Sequence, residues 1–195
     1  FLSRSSLAFS GRNSEARKRN AAERYWPDFS ASGDRNHQSF FGKTQGAKGV
    51  KALIFGGSGQ DGFYLSKICR EQGFEPVIIS RRGGHVQADV ADGKAVEGLI
   101  STHHPELIFH LAASSTTRHD ALFENHAAIA TGTLNILESV RKHFPNAKVF
   151  IPGSGVQFEN HGKPISENDA FSPTSAYAVS RIYSVYAARY FRKMG

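Results

Sequence analysis

The chain has 195 residues, of which 39% are hydrophobic, and it carries a formal net charge of +7 at pH 7. This length can bury one substantial core, and no apolar run approaches the roughly 18 residues that a membrane-spanning helix needs. The single cysteine, Cys69, excludes an intrachain disulfide and fits a reducing compartment, so we expect a soluble, cytoplasmic protein without a membrane span.

The positive charge is concentrated in residues 1–49, which hold nine Lys or Arg against four Asp or Glu. We interpret this segment as a basic N-terminal extension. A solvated tail, a basic arm and an organelle-targeting remnant all fit its composition. No base-reading module accompanies the run Arg17-Lys18-Arg19, so the sequence argues against a nucleic-acid partner.

Residues 50–195 alternate apolar runs of strand length with segments of helical periodicity. This alternation predicts an α/β fold of the Rossmann type, with a doubly wound parallel sheet and right-handed crossovers. The predicted strands lie near residues 50–55, 76–80, 106–111 and 147–152, and the predicted helices lie near residues 61–73, 92–102, 121–143 and 174–193.

A glycine cluster joins the first predicted strand to the first predicted helix and reads Gly56-Gly57-Ser58-Gly59-Gln60-Asp61-Gly62. Glycines here permit a tight turn and close approach of the backbone to a pyrophosphate, and the helix N-terminus offers unpaired N–H groups to the anion. The strand–turn–helix context favours a cofactor site over an ordinary glycine-rich turn. The predicted cofactor-binding residues of this cluster are Gly56, Gly59, Gln60, Asp61 and Gly62.

The second predicted strand is followed directly by Arg81 and Arg82. A site specific for NAD usually places Asp or Glu here to bind the ribose 2′-hydroxyl, whereas arginines suit a 2′-phosphate. The sequence therefore predicts NADP as the cofactor, with NAD as the alternative. A further alternative is that Arg81 and Arg82 do not contact the cofactor and are solvated loop charges.

Near the end of the chain, Tyr177 and Arg181 lie four residues apart in a predicted helix and so share one of its faces. A cation about 4 Å from a phenol supplies roughly the 4 kcal/mol needed to bring the pKa of a tyrosine toward neutral. The pair therefore indicates a tyrosine acid/base, although similar pairs also line ordinary amphipathic helices.

Other reactive residue types give weaker signals. The nine histidines show no compact ligand pattern, which argues against a metal site. Cys69 lies in a predicted helix, where a buried apolar role is expected rather than a reactive thiol.

Taken in order, these motifs resemble those of the extended short-chain dehydrogenase/reductase superfamily, and within it the NAD(P)-dependent nucleotide-sugar epimerases and dehydratases. The resemblance is nearest to the GDP-mannose 4,6-dehydratase branch. The resemblance covers about residues 50–195. It implies that Asp89 and Val90 contact adenine, and that Leu111, Ala112 and Ala113 lie beside the cofactor. The matching segments are Leu53 to Leu65, Asp89-Val90, His110 to Ala113, Asn125 to Asn135, Ser154, and Ser172 to Ala178.

The resemblance also implies a catalytic group of Ser154, Tyr177 and Arg181, of which Tyr177 and Arg181 additionally contact the cofactor. The family carries lysine at the position of Arg181, and a guanidinium keeps the charge but is wider, planar and never deprotonated. The dehydratases carry an acid two residues after the catalytic Ser or Thr, where this chain has Val156. These departures argue against 4,6-dehydration and leave an epimerase or reductase, with a non-catalytic dinucleotide-binding subunit of an assembly as the alternative.

The resemblance implies a nucleotide-sugar substrate and a homodimer formed through the helices at residues 121–143 and 174–193. The alternative is that the apolar stripes of these helices pack within a monomer. The resembled enzymes also continue well beyond the catalytic helix, whereas this sequence stops at Gly195. We therefore expect residues 50–195 to form an NAD(P)-binding Rossmann domain that includes the catalytic helix, with the C-terminal substrate domain missing from this chain.

Overall fold

A computed structural model of the chain describes residues 49–194, which belong to one compact unit. The predicted N-terminal extension, residues 1–49, lies outside the described residues except for Gly49. Between Gly49 and Met194, no helix combines the length and the apolar character that crossing a membrane requires.

A five-stranded parallel sheet forms the centre of this unit, in the order β3-β2-β1-β4-β5. In the central strand, Leu53 pairs in register with Val77 of β2 and Ile108 of β4. Covered on both faces, β1 reads as a continuous apolar run rather than an alternating one. The strands are β1 (Lys51–Phe55), β2 (Glu75–Ser80), β3 (Val86–Gln87), β4 (Leu107–His110) and β5 (Lys148–Phe150).

The helices between the strands are α1 (Gln60–Glu71), α2 (Gly93–His103), α3 (Leu122–Asn125) and α4 (Gly132–His143), and α5 (Ala176–Met194) follows the last strand. A π-helical segment, His126–Thr131, joins α3 to α4 without a break. A short 3-10 turn at His119–Ala121 precedes α3, and another at Gly155–Gln157 follows β5.

The main core lies between one face of the sheet and helices α2 and α4. Each large aliphatic side chain buried there contributes about 1.5–3 kcal/mol. This packing fixes the ends of β1, β2 and β4, from which the loops of the candidate site extend. The core includes Leu53, Phe55, Val77, Ile79 and Ile108 from the strands, and Val96, Ile100, Ile136 and Val140 from the helices.

The predicted fold class is confirmed, while several element boundaries differ from the prediction. The strands predicted near residues 106–111 and 147–152 are shorter, spanning Leu107–His110 and Lys148–Phe150. The two-residue strand β3 was not predicted because it is too short to show periodicity.

The helix predicted over residues 121–143 contains the π-helical segment instead of running as regular α-helix. There the N–H of Gly132 bonds to the carbonyl of Ala127, five residues back. The carbonyl of Ile129 accepts a hydrogen bond from the Ser184 hydroxyl of α5 at 3.3 Å. A contact with a residue 55 positions away leaves no local signal in the sequence, so this irregularity was not foreseen.

Candidate cofactor site and tyrosine cluster

The turn after β1 requires glycine at two positions because backbone segments meet there. Gly56 adopts φ +81°, and a Cβ atom on it would lie 2.5 Å from the backbone nitrogen of Ala112. A Cβ atom on Gly62 would lie 2.4 Å from the Cα of Gly57. Both distances are shorter than any side chain tolerates, so these glycines serve the close packing of the turn against β4 and α1.

Gly59 serves a different purpose. It is the N-cap residue of α1, with an ordinary φ of −77°, and a Cβ atom on it would meet only the carbonyl oxygen of Gly56, at 3.4 Å. The fold itself therefore does not demand glycine there. The open space lies beside a helix N-terminus whose first N–H groups lack intrahelical partners, and this arrangement fits a pyrophosphate.

A cleft of about 580 Å³ opens at the carboxyl ends of β1, β2 and β4. It lies where the strand order reverses between β1 and β4, the position at which open α/β sheets bind ligands. The structure thus brings together residues from four separate segments. The cleft is lined by all the predicted cofactor residues except Tyr177 and Arg181, namely Gly56, Gly59, Gln60, Asp61, Gly62, Arg81, Arg82, Asp89, Val90, Leu111, Ala112 and Ala113.

Arg81 is paired across this cleft with Glu124 of α3. Its Nη2 lies 2.5 Å from Oε1 of Glu124, and the two side chains are 56% and 45% exposed. The hydrogen bond to Glu124 raises the pKa of Arg81. A pair this exposed contributes only about 0–1 kcal/mol to stability. Its importance lies in placing a positive and a negative side chain together in the cleft.

Two serines connect the glycine turn to the loop that carries the arginines. The Ser58 hydroxyl donates to the Ser80 hydroxyl at 2.9 Å, and the Ser80 hydroxyl donates to the carbonyl of Arg82 at 2.7 Å. Sequence reasoning missed Ser58, Ser80 and Glu124 as members of the site. Each of their contacts crosses between elements or depends on a loop conformation, so residue spacing gives no sign of them.

The segment Asp89-Val90, which is predicted to contact adenine, is fixed by two hydrogen bonds. Oδ1 of Asp89 accepts the N–H of Ala91 at 2.9 Å, and the carbonyl of Val90 accepts Nδ2 of Asn135 at 3.0 Å. Val90 is buried, with 4% of its surface exposed, while Asp89 is exposed. The backbone is therefore fixed in place, with an apolar side chain and a carboxylate at the cleft.

The predicted catalytic residues lie on α5 and on the segment after β5. Nε of Arg181 donates to the hydroxyl of Tyr177 at 3.1 Å, and Nη1 donates to the carbonyl of Pro152 at 3.1 Å. Cζ of Arg181 is 5.2 Å from the centroid of the Tyr177 ring. Arg181 thus ties the helix to the segment that carries Ser154, two residues after Pro152.

The guanidinium of Arg181 is buried, with only 5% of the residue exposed. Across residues 49–194, no carboxylate forms an ion pair with it. Burial of a charge without a counter-ion costs several kcal/mol, and the acceptors described above are neutral oxygens. Among the described residues, this buried cation therefore has a tyrosine hydroxyl and a backbone carbonyl as its partners.

Ser154 is positioned by the 3-10 turn that follows it. Its N–H donates to Oε1 of Gln157, and its carbonyl accepts the N–H of Gln157 at 3.1 Å. Gln157 is 2% exposed and was not predicted as a supporting residue. Val156, at the position of the dehydratase acid, is 42% exposed. The place where the dehydratases carry a proton-transfer group is therefore occupied by an exposed apolar side chain.

Two further titratable residues are buried. Burial lowers the pKa of His110 to about 4, with a smaller contribution from the positive charge of Arg181, so the imidazole is neutral at pH 7. Its Nε2 lies 3.4 Å from the carbonyl of Ile129. Cys69 is buried, as expected, and burial raises the pKa of its thiol to about 11.

The strand order, the glycine turn at the reversal of that order and the cleft above it define an α/β protein of the Rossmann type. The chain belongs to the NAD dependent epimerase/dehydratase family, whose model matches residues 52–195.

Curated relatives include dehydratases and epimerases of nucleotide sugars. The chain is 29% identical over 159 residues to GDP-mannose 4,6 dehydratase 2 of Arabidopsis thaliana, covering 67% of this chain and 43% of that protein. It is 28% identical over 150 residues to UDP-glucose 4-epimerase of Corynebacterium glutamicum, covering 71% and 45%. The chain thus spans less than half the length of these relatives.

Solved structures share the fold at low sequence identity. The UDP-Glc/GlcNAc 4-epimerase of Campylobacter jejuni matches with a TM-score of 0.67 and 18% identity, covering 75% of this chain and 50% of that chain. The UDP-glucose 4-epimerase of Brucella ovis, in complex with NAD, matches with a TM-score of 0.64 and 22% identity, covering 72% and 47%.

Proposed function

We propose that this protein is an NADP-dependent enzyme that reduces or epimerises a nucleotide sugar. The observation that carries the proposal is the contact between the Tyr177 hydroxyl and the buried guanidinium of Arg181. The names of the curated relatives support a nucleotide-sugar substrate, because both groups of enzymes act at a sugar joined to a nucleoside diphosphate.

When bound, the cofactor would supply hydride transfer at its nicotinamide ring. Tyr177 would take and return the proton of the reacting hydroxyl, and Arg181 would hold the Tyr177 oxygen in place. Ser154 would orient the oxygen of the sugar. The cleft residues would bind and align the dinucleotide, with Gly59 at the pyrophosphate and Asp89 near the adenine.

A different role follows if Arg181 blocks the chemistry. Its Nη1 is bound to the Pro152 carbonyl, which reduces its freedom to contact a nicotinamide ribose as a lysine would. This interaction and the apolar Val156 favour a non-catalytic dinucleotide-binding subunit as the second candidate function.

Hydride exchange distinguishes the two functions. The full-length protein would be incubated with NADP⁺ or NADPH and a panel of nucleotide sugars, following the absorbance of the reduced nicotinamide and the NMR spectrum of the sugar. We expect exchange with at least one sugar. Tight cofactor binding without exchange for any sugar would favour the binding subunit.

Our assignment of NADP rests on Arg81 and Arg82, which line the cleft at the end of β2. We expect the double substitution Arg81→Gln/Arg82→Gln to weaken NADP binding by about 1–3 kcal/mol for each charge-assisted hydrogen bond that it removes, with little effect on NAD. Isothermal titration calorimetry with both cofactors measures this difference. Arg118→Gln is the control, because Arg118 is an exposed arginine paired with Asp120 outside the cleft. Equal weakening of NADP and NAD binding would show that the arginines do not read the 2′-phosphate.

We further propose that the protein forms a homodimer through the stretch from α3 to α4 together with α5. These helices pack side by side, with Oγ1 of Thr133 3.0 Å from Oγ of Ser184. Spacings of three and four residues place the exposed side chains of α5 on one helix face. The exposed apolar residues of these helices are Phe123, Val179, Tyr183, Tyr186, Tyr190 and Met194.

The double substitution Val179→Glu/Tyr183→Glu is expected to convert this dimer into a monomer, because it would place two charges in an apolar interface. Sedimentation velocity measures the change in mass. Phe63→Glu is a matched control, since Phe63 is equally apolar and 65% exposed but lies on α1. A wild-type protein that sediments as a monomer at all concentrations would contradict the proposed dimer.

A further inference from the structure

We propose that Glu124 is a specificity residue of the cofactor site: it supplies the carboxylate that the end of β2 lacks and reduces the preference for NADP over NAD. The inference rests on the proposed function, because it assumes that the cleft binds a dinucleotide with the ribose 2′-position near Arg81.

The position of Glu124 supports this role. Its carboxylate contacts the same guanidinium that is proposed to bind the 2′-phosphate, and both residues line the cleft. The neighbouring Asn125 is 1% exposed, and its Nδ2 donates to the carbonyl of Thr116 at 2.9 Å. This buried anchor fixes the start of the helical stretch, so Glu124 is presented to the cleft from a defined position.

The charges around Arg81 show how the carboxylate would act. Glu124 and, more weakly, Asp89 both interact with the Arg81 guanidinium. A 2′-phosphate would therefore compete with the Glu124 carboxylate for Arg81 and lie beside that like charge, which disfavours it. A 2′-hydroxyl meets no such repulsion and can donate a hydrogen bond to the carboxylate, as it does in NAD sites with an acid after the second strand.

Two opposite charges thus face one ribose position, and each favours a different cofactor. Arg81 favours the phosphate and Glu124 favours the hydroxyl. The preference for NADP is consequently smaller than two arginines alone would give, and NAD remains a usable ligand.

Glu124→Gln tests this inference, since it removes the charge and preserves the size of the side chain. In the full chain we expect the Kd for NADP to fall about 10-fold, the usual effect of one charge in a partly exposed ligand contact, and the Kd for NAD to rise severalfold. Calorimetric titration with NADP, NAD, 5′-AMP and adenosine 2′,5′-bisphosphate isolates the effect of the 2′-group. Glu138→Gln is the control, because Glu138 is also paired with an arginine, Arg141, but lies outside the cleft.

The double substitution Arg81→Gln/Glu124→Gln completes the experiment. If Glu124 acts by occupying Arg81, the gain in NADP affinity must disappear in the absence of Arg81, and a double-mutant cycle measures this coupling. An unchanged ratio of NADP to NAD affinity in Glu124→Gln, with both cofactors still binding, would overturn the inference and leave the proposed function intact. Failure of the wild type to bind either cofactor would overturn both.

Discussion

Replacement of Tyr177 by phenylalanine is expected to abolish hydride exchange, with a reduction of at least about 10²–10⁴-fold, while cofactor binding changes little. The substitution keeps the ring that lies under the Arg181 guanidinium and removes only the oxygen to which Nε donates. The group that would move the proton is therefore deleted without disturbing the packing of α5. Exchange rates for wild type and variant over a series of pH values provide the measurement.

Tyr64→Phe is the control, because Tyr64 is an exposed tyrosine on α1, outside the proposed dimer helices and the cleft. Arg181→Lys completes the series. It is expected to retain or raise activity, since it keeps the positive charge and restores the lysine side chain found in the resembled enzymes. Undiminished exchange in Tyr177→Phe would eliminate the proposed mechanism. A silent wild type that gains activity with Arg181→Lys would show that the arginine had switched off an otherwise intact site.

Gly59→Val is expected to weaken cofactor binding by about 3 kcal/mol, or roughly 100-fold in Kd, because it would prevent one or two charge-assisted hydrogen bonds to the pyrophosphate. The valine would occupy the open space in front of the turn. It would meet no protein atom closer than 3.4 Å at its Cβ, and the backbone there is unstrained, so the variant is expected to fold. Calorimetry gives the affinity, and thermal unfolding without cofactor gives the stability.

Gly98→Val serves as the comparison for this variant. Gly98 is exposed on α2, with no atom within 4 Å of its ideal Cβ position, and it does not line the cleft. The Gly98→Val variant should therefore show how much stability is lost when valine is placed on a helix surface, without any effect on cofactor affinity. Equal cofactor affinities in wild type and Gly59→Val would remove Gly59 from the pyrophosphate site.

Features that depend on local periodicity could be predicted from the sequence. The buried run from Ala52 to Phe55, the glycine turn and the helix after it each leave a pattern within a few neighbouring residues, so the order of strands and helices followed directly. The parallel sheet then placed the ends of β1, β2 and β4 at one edge. For this reason the predicted cofactor residues line a single cleft although they are far apart in the sequence.

Contacts between distant residues could not be predicted in the same way. Arg81 was expected to be free for a phosphate, yet it is paired with Glu124, which lies 43 residues away. Arg181 was predicted to contact Tyr177, one turn away, but its second partner is the Pro152 carbonyl, 29 residues away. Periodicity specifies which face a side chain occupies and contains no information on which distant group meets it there.

The π-helical segment has a geometric consequence for the wall of the cleft. Each residue of an α-helix turns the chain by about 100°, so one extra residue within a turn shifts the phase of everything before it relative to everything after it. α4 is therefore aligned with the core through Ile136 and Val140, while α3 is aligned with the cleft through Glu124. One continuous stretch of helix can thus serve the interior and the binding surface, with each half rotated to suit its own surroundings.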